Sequence, residues 1–192
     1  MPRLQKSIDK RTALLSAMLT LINKEGILGA SMAKVAKMAN VSPATIYLLF
    51  ENKQDMVNQL YIEVKKQFTD FAFENYDESL PVKKSFEQIW LQMLEFKLKF
   101  KEEASFLAQC DNTPMIDEAT RKIGVNYLKP LFNLWLRGQN EGIIKELSPF
   151  LLYAFTIYPM AFLMHLQHRQ LYHMEEKVLQ HAFQVAWDGI KV

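Results

Sequence analysis

Residues 31–53, SMAKVAKMANVSPATIYLLFENK, leave the backbone few choices. Ser31 is a good N-cap for a short helix whose narrow apolar face is Val35, Ala36 and Ala39. Asn40 sits where that helix must stop, and Asn is the usual substitute for Gly in the left-handed conformation that ends a helix. Val41 is the apolar residue expected to fold back on the finished turn. Ser42 then caps a second helix, over 43–50, with Pro43 at its first position, where a missing N–H costs nothing. Asn52, with Asp55 three residues on, opens another helix in a pattern close to a capping box. The pattern predicts two short helices around one tight reversal, with a third following at once.

That arrangement is a helix-turn-helix, and its geometry points to duplex DNA. The second helix enters the major groove N-terminus first, so its first two turns reach base edges and phosphates. Pro43 and Ala44 are small enough for close backbone approach, while Thr45 and Tyr47 offer hydroxyls beside a helix N-terminus that attracts phosphate. Lys53 is placed for a cationic phosphate contact, and Leu48 could meet a thymine methyl. The candidate DNA-binding residues are Ser31, Lys34, Ser42, Pro43, Ala44, Thr45, Tyr47, Leu48 and Lys53. Charge agrees: residues 1–60 hold 8 Lys/Arg against 4 Asp/Glu, a balance of +4, although the whole chain is only +2.

Residues 11–57 resemble the N-terminal domain of the TetR (tetracycline-repressor-like) family. The match rests on Gly26, Ser31, Val35, Ala36, Ala39, Val41, Ser42, Thr45, Ile46, Tyr47, Phe50 and Lys53. Asn40 and Ala44 replace glycines of the family pattern, Leu49 replaces an aromatic residue, and Leu48 stands where a polar or basic residue is common. The resemblance implies an all-α, nine-helix protein with a DNA-binding head over 1–56 and an effector-binding, dimerising body over 57–192. It also implies a transcriptional regulator, expected to be a repressor that a small, largely apolar effector releases from its operator. The alternative is a helical ligand-binding protein whose head has lost specific DNA recognition.

Periodicity places the remaining helices at 7–24, 53–73, 81–100, 102–110, 116–140, 149–170 and 174–190. Pro2, Arg3 and Lys6 are expected to form a basic arm ahead of the first. The longest apolar run, 150–164, falls short of a membrane span and contains Pro159, so it reads as a buried helix. The body is rich in aromatic and Met side chains, a composition suited to an apolar pocket. Trp90, Phe106, Cys110, Trp135, Phe155 and Tyr158 are the candidate ligand-binding residues. Phe162 and the small-residue face Val178, Ala182, Val185, Ala186 and Gly189 are the candidate dimer interface. Such a homodimer would set two recognition helices about 34 Å apart on a (pseudo)palindromic operator. A single cysteine, Cys110, leaves no intrachain disulfide framework, in keeping with the cytoplasm. Near His165, His168, His173 and His181 the only close carboxylates are Glu175 and Glu176, at a helix junction expected to be exposed, so no cofactor, metal or catalytic constellation is expected.

Overall fold

The computed structural model describes residues 2–192, and the side chains of 7–167 and 169–192. The elements, in order, are α1 (Pro2–Gly29), α2 (Met32–Met38), α3 (Pro43–Leu49), α4 (Lys53–Phe73), α5 (Val82–Lys99), α6 (Lys101–Asn112), α7 (Glu118–Asn126), α8 (Lys129–Asn140), α9 (Pro149–Thr156), α10 (Pro159–His168) and α11 (Glu176–Ile190). The fold is all-α. Among the described residues the only β feature is one antiparallel bridge between Ile144 and Lys191.

Two helices expected to be continuous are each divided by a proline. The 116–140 stretch becomes α7 and α8, and the 149–170 stretch becomes α9 and α10. Pro130 and Pro159 each sit in the first turn of the new helix. A proline there supplies no N–H to the preceding turn, so the hydrogen-bond ladder is interrupted although Tyr158, just before Pro159, keeps helical angles. The Tyr158 N–H accordingly reaches back to the Tyr153 carbonyl at 3.0 Å, closing α9. At the N-terminus, the backbone expected to be an arm is helical from Pro2; the Arg3 and Lys6 side chains lie outside the described residues. Gly26, with φ of 72° and ψ of 171°, breaks α1 before Gly29.

The chain forms two compact units. The first comprises residues up to Gln67 with Phe100–Val125, so α6 and α7 belong to the same unit as the helix-turn-helix, and both α2 and α6 pack on α1. Its core takes Leu14, Met18 and Ile22 from α1, Val35 from α2, Ile46 from α3 and Phe106 from α6. Gly124 on α7 lies so close to Tyr61 that an added Cβ would fall 2.4 Å from the phenol oxygen.

The second unit comprises Phe68–Lys99 and Asn126–Val192. Its centre is an aromatic cluster on α5, α8 and α11. Phe86 meets Trp135 edge-on at 5.9 Å, and Trp90 meets Phe183 at 5.7 Å. The α5 stripe of Phe86, Ile89, Trp90, Met93 and Leu94 is buried throughout. The apolar run at 150–164 is not a buried helix: Phe150, Leu151, Phe155, Tyr158 and Phe162 are all exposed. By length and composition Pro149–Gln167 could cross a membrane, but Pro159 starts a new helix inside it.

Candidate nucleic-acid interface and body groove

The α2–α3 turn is built as its residues demand. The Ser31 side chain accepts from the Lys34 N–H at 3.3 Å. Asn40 takes φ 52°, the Asn40 N–H bonds the Lys37 carbonyl at 3.2 Å, and the Val41 N–H bonds the Ala36 carbonyl at 2.9 Å. This pair of bonds is a Schellman closure with Asn in the position usually held by Gly. Ser42 then accepts from the Thr45 N–H at 3.3 Å, and the two hydroxyls lie 2.8 Å apart. At the start of α4, Asn52 Oδ1 accepts from the Asp55 N–H at 2.9 Å. Asp55 in turn accepts from the Glu51 N–H at 3.0 Å, one residue earlier than a strict capping box.

The caps set the ends of α3, and its buried residues set which face points outward. Ile46 is buried, as is Phe50 just beyond the helix, whereas Pro43, Ala44, Tyr47 and Leu48 are exposed. Leu48 is 83% exposed and Tyr47 61%, unusual values for residues of that size. Both basic candidates are already engaged. Lys34 pairs with Glu25 at 2.5 Å on the surface. Lys53 donates to the Ile27 carbonyl, tying the start of α4 to the end of α1. Lys24 and Lys37 are also exposed on this unit, cations that the sequence reading did not single out.

The ligand candidates divide between the two units. Phe106 and Cys110 belong to the core of the first. Burial pushes the Cys110 thiol up to about 12, and Asp111 adds to the shift. Cys110 is therefore a protonated, weakly nucleophilic thiol at neutral pH. Lys65 is buried nearby with its pKa lowered by desolvation, and Tyr61 is raised to about 12 by burial.

In the second unit, Trp90 and Phe155 share an apolar groove of about 470 Å³ between α5, α9, α10 and α11. The Trp90 Nε1–H donates to the Thr156 carbonyl at 2.9 Å, which fixes the indole against the groove floor. Trp135 lies instead in the aromatic core, its Nε1–H without a hydrogen-bond partner. Tyr158 is exposed outside the groove lining. The dimer candidates Phe162, Val178, Ala182, Val185 and Ala186 line the same groove as Trp90 and Phe155. Gly189 is exposed, with open space where a Cβ would stand. His181 also lines the groove, a role that nothing in its spacing marked in the sequence. It and Thr156 are the groove's polar side chains apart from the Tyr172 hydroxyl. No group of three or more His, Cys, Asp or Glu suited to a metal ion occurs among the described residues; the His168 side chain lies outside them.

Comparison with known proteins agrees with this geometry at both ends of the chain. Residues 14–60 match the family described as bacterial regulatory proteins, tetR family, and residues 81–191 match the tetracyclin repressor-like C-terminal domain. An HTH-type transcriptional regulator of Haemophilus influenzae is 29% identical over 153 residues, covering 80% of each chain. A TetR family transcription regulator from Marinobacter aquaeolei superposes with a TM-score of 0.90 at 22% identity, covering 100% of this chain and 99% of the other. The transcriptional regulator FadR from Bacillus subtilis, solved in complex with stearoyl-CoA, superposes with a TM-score of 0.74 at 19% identity, covering 93% and 98%. With a capped helix-turn-helix at its head and the second family match spanning most of its body, the chain belongs to the TetR family of bacterial transcriptional regulators.

Proposed function

We propose that the protein is a dimeric repressor that acts in the cytoplasm and leaves its operator when a largely apolar effector fills the body groove. The observation that carries this reading is the groove itself. Its walls are aromatic and aliphatic, its floor is a hydrogen-bonded tryptophan, and its polar side chains are few. That composition suits an apolar ligand held in one orientation. The stearoyl-CoA bound by the structurally similar Bacillus subtilis regulator makes a long acyl chain the first probe to test.

A second copy of the chain accounts for the rest of this face. Phe162 and Val185, 64% and 73% exposed, stand at the rim, whereas Trp90, Met160 and Ala186 are buried at its base. Phe162 and Val185 meet the partner, while Phe155 and the base residues meet the effector. In the head, Tyr47 and the α3 surface engage the major groove, with Ser31, Ser42 and Thr45 holding the helices in place. Lys34 and Lys53 reach phosphate only by exchanging the partners they now hold.

The test is a titration of the full-length protein with stearoyl-CoA and with short aromatic cations, followed by tryptophan fluorescence and by release of a selected operator duplex. Quenching with concurrent operator release supports the reading. A Phe155→Ala variant that responds like the parent, or ligands that quench without changing operator affinity, overturn it. Uniformly weak, sequence-blind DNA binding would favour a body that has outlived its head's specificity.

A further inference from the structure

The chemistry left available on α3 is narrower than DNA binding alone requires. Its seven residues, PATIYLL, include no acid, base or amide. Polar base readout in the major groove uses Arg or Lys for guanine, Asn or Gln for adenine, and Asp or Glu for cytosine. None of these stands on this helix. The Ser42 and Thr45 hydroxyls face each other at 2.8 Å, and Ser42 also caps the helix. Inward-facing Ile46 and Phe50 pin the rotation of α3, so the outward surface is Ala44, Tyr47 and Leu48, with Pro43 beside them. Ala44 and Leu48 are four residues apart and lie on one side of the helix about 6 Å from each other. That separation is close to two base steps.

A leucine that is 83% exposed buries little in the free protein. In the major groove the one apolar feature that differs between base pairs is the C5-methyl group of a pyrimidine. We infer that Leu48, with Ala44 one turn before it, reads pyrimidine C5-methyl groups, so that the operator half-site is specified by thymine or 5-methylcytosine under α3 rather than by polar base contacts. Tyr47, whose hydroxyl is the one polar group on this face, serves the phosphate backbone. This assignment rests on the proposed sequence-specific DNA binding and names the chemistry by which it discriminates.

The full-length protein is used to select duplexes from a random library in the presence of competitor DNA. The enriched duplex is then remade with deoxyuridine for thymine at each position, which deletes the methyl and keeps the base pair. Affinity should fall about fourfold at one or two positions per half-site, the effect of burying a single methyl group. Changing a sensitive T·A pair to C·G should weaken binding; recovery with 5-methylcytosine shows that either methyl source serves, and no recovery assigns the readout to thymine. Leu48→Ala should lose the thymine-over-deoxyuridine preference at one of those positions, while Tyr47→Phe weakens binding but keeps it. If deoxyuridine is tolerated everywhere, or Leu48→Ala retains the parental preference, methyl readout is wrong and specific DNA binding stands. If no sequence is enriched, the proposed DNA reading fails and this assignment with it.

Discussion

The two compact units are stabilised by different means. The first is organised by its backbone: Ser31, Asn40, Ser42, Asn52 and Asp55 satisfy helix ends within a few residues of themselves. It buries Tyr61, Lys65 and Cys110, groups that titrate, and exposes a narrow apolar strip on α3. The second is organised by ring packing among Phe86, Trp90, Trp135 and Phe183, and exposes a broad apolar face from Phe150 to Val185. A narrow strip among hydroxyls and lysines fits a groove of nucleic acid. A broad aromatic face suits an apolar covering, which the proposed second copy would supply.

The largest effect expected from that contrast is on assembly. Val185→Glu places a charge where a partner's apolar face would cover it, at a cost of several kcal/mol to association. Val185 is exposed in the single chain, so the variant should fold normally yet sediment as a monomer and lose operator affinity. A stable dimer at micromolar concentration would break the assignment of this face.

Alkaline pH should separate the units next. Cys110 and Tyr61 have folded-state values raised from 9.0 and 10.0 to about 12. Their contribution to stability is complete below those ordinary values and is lost as pH rises towards 12. Lys65, whose value is lowered, acts in the opposite sense and relieves the fold as pH approaches 10.5, but it is one group against two. All three tryptophans, Trp90, Trp135 and Trp187, lie in the second unit. Between pH 9 and 12, helix loss by circular dichroism should therefore precede the tryptophan fluorescence change, and Cys110→Ala should narrow the gap. Coincident transitions would erase the distinction between the units.

Smaller effects probe the caps. Ser42→Ala removes the α3 cap and should lower stability by about 1 kcal/mol in a denaturant melt. Leu48→Ala should change stability by less than about 0.5 kcal/mol, as expected for an exposed side chain without partners in the fold. A larger loss at Leu48 than at Ser42 would show that the outer strip, and not the caps, holds the helix.

Legibility in the sequence follows the same division. Caps are local, so α2, α3 and the start of α4 could be placed from residue type and spacing, down to the left-handed Asn40. Helix continuity was harder. Pro130 and Pro159 fit equally well inside a kinked helix or at the start of a new one, and only the packing of α8 and α10 decides. The ligand candidates were drawn from one aromatic-rich composition that the fold distributes over two cores and a groove. Nothing in the spacing of Phe106, Trp135 and Phe155 distinguishes those places. Lys53 sits where a phosphate contact was expected, but the nearby Ile27 carbonyl, 26 residues earlier in the chain, holds its ammonium.

The separation of caps from outward side chains on α3 has a consequence for how such a regulator changes over generations. Backbone closures at Asn40 and Ser42 hold the helix in place, while positions 44, 47 and 48 take almost no share in doing so. If α3 reads DNA as proposed, a mutation at one of those three alters what is recognised without first eroding the fold, so it meets little purifying pressure from stability. Duplicated copies of such a gene could drift to new operators one outward residue at a time, each intermediate still folded and still able to bind the ancestral ligand.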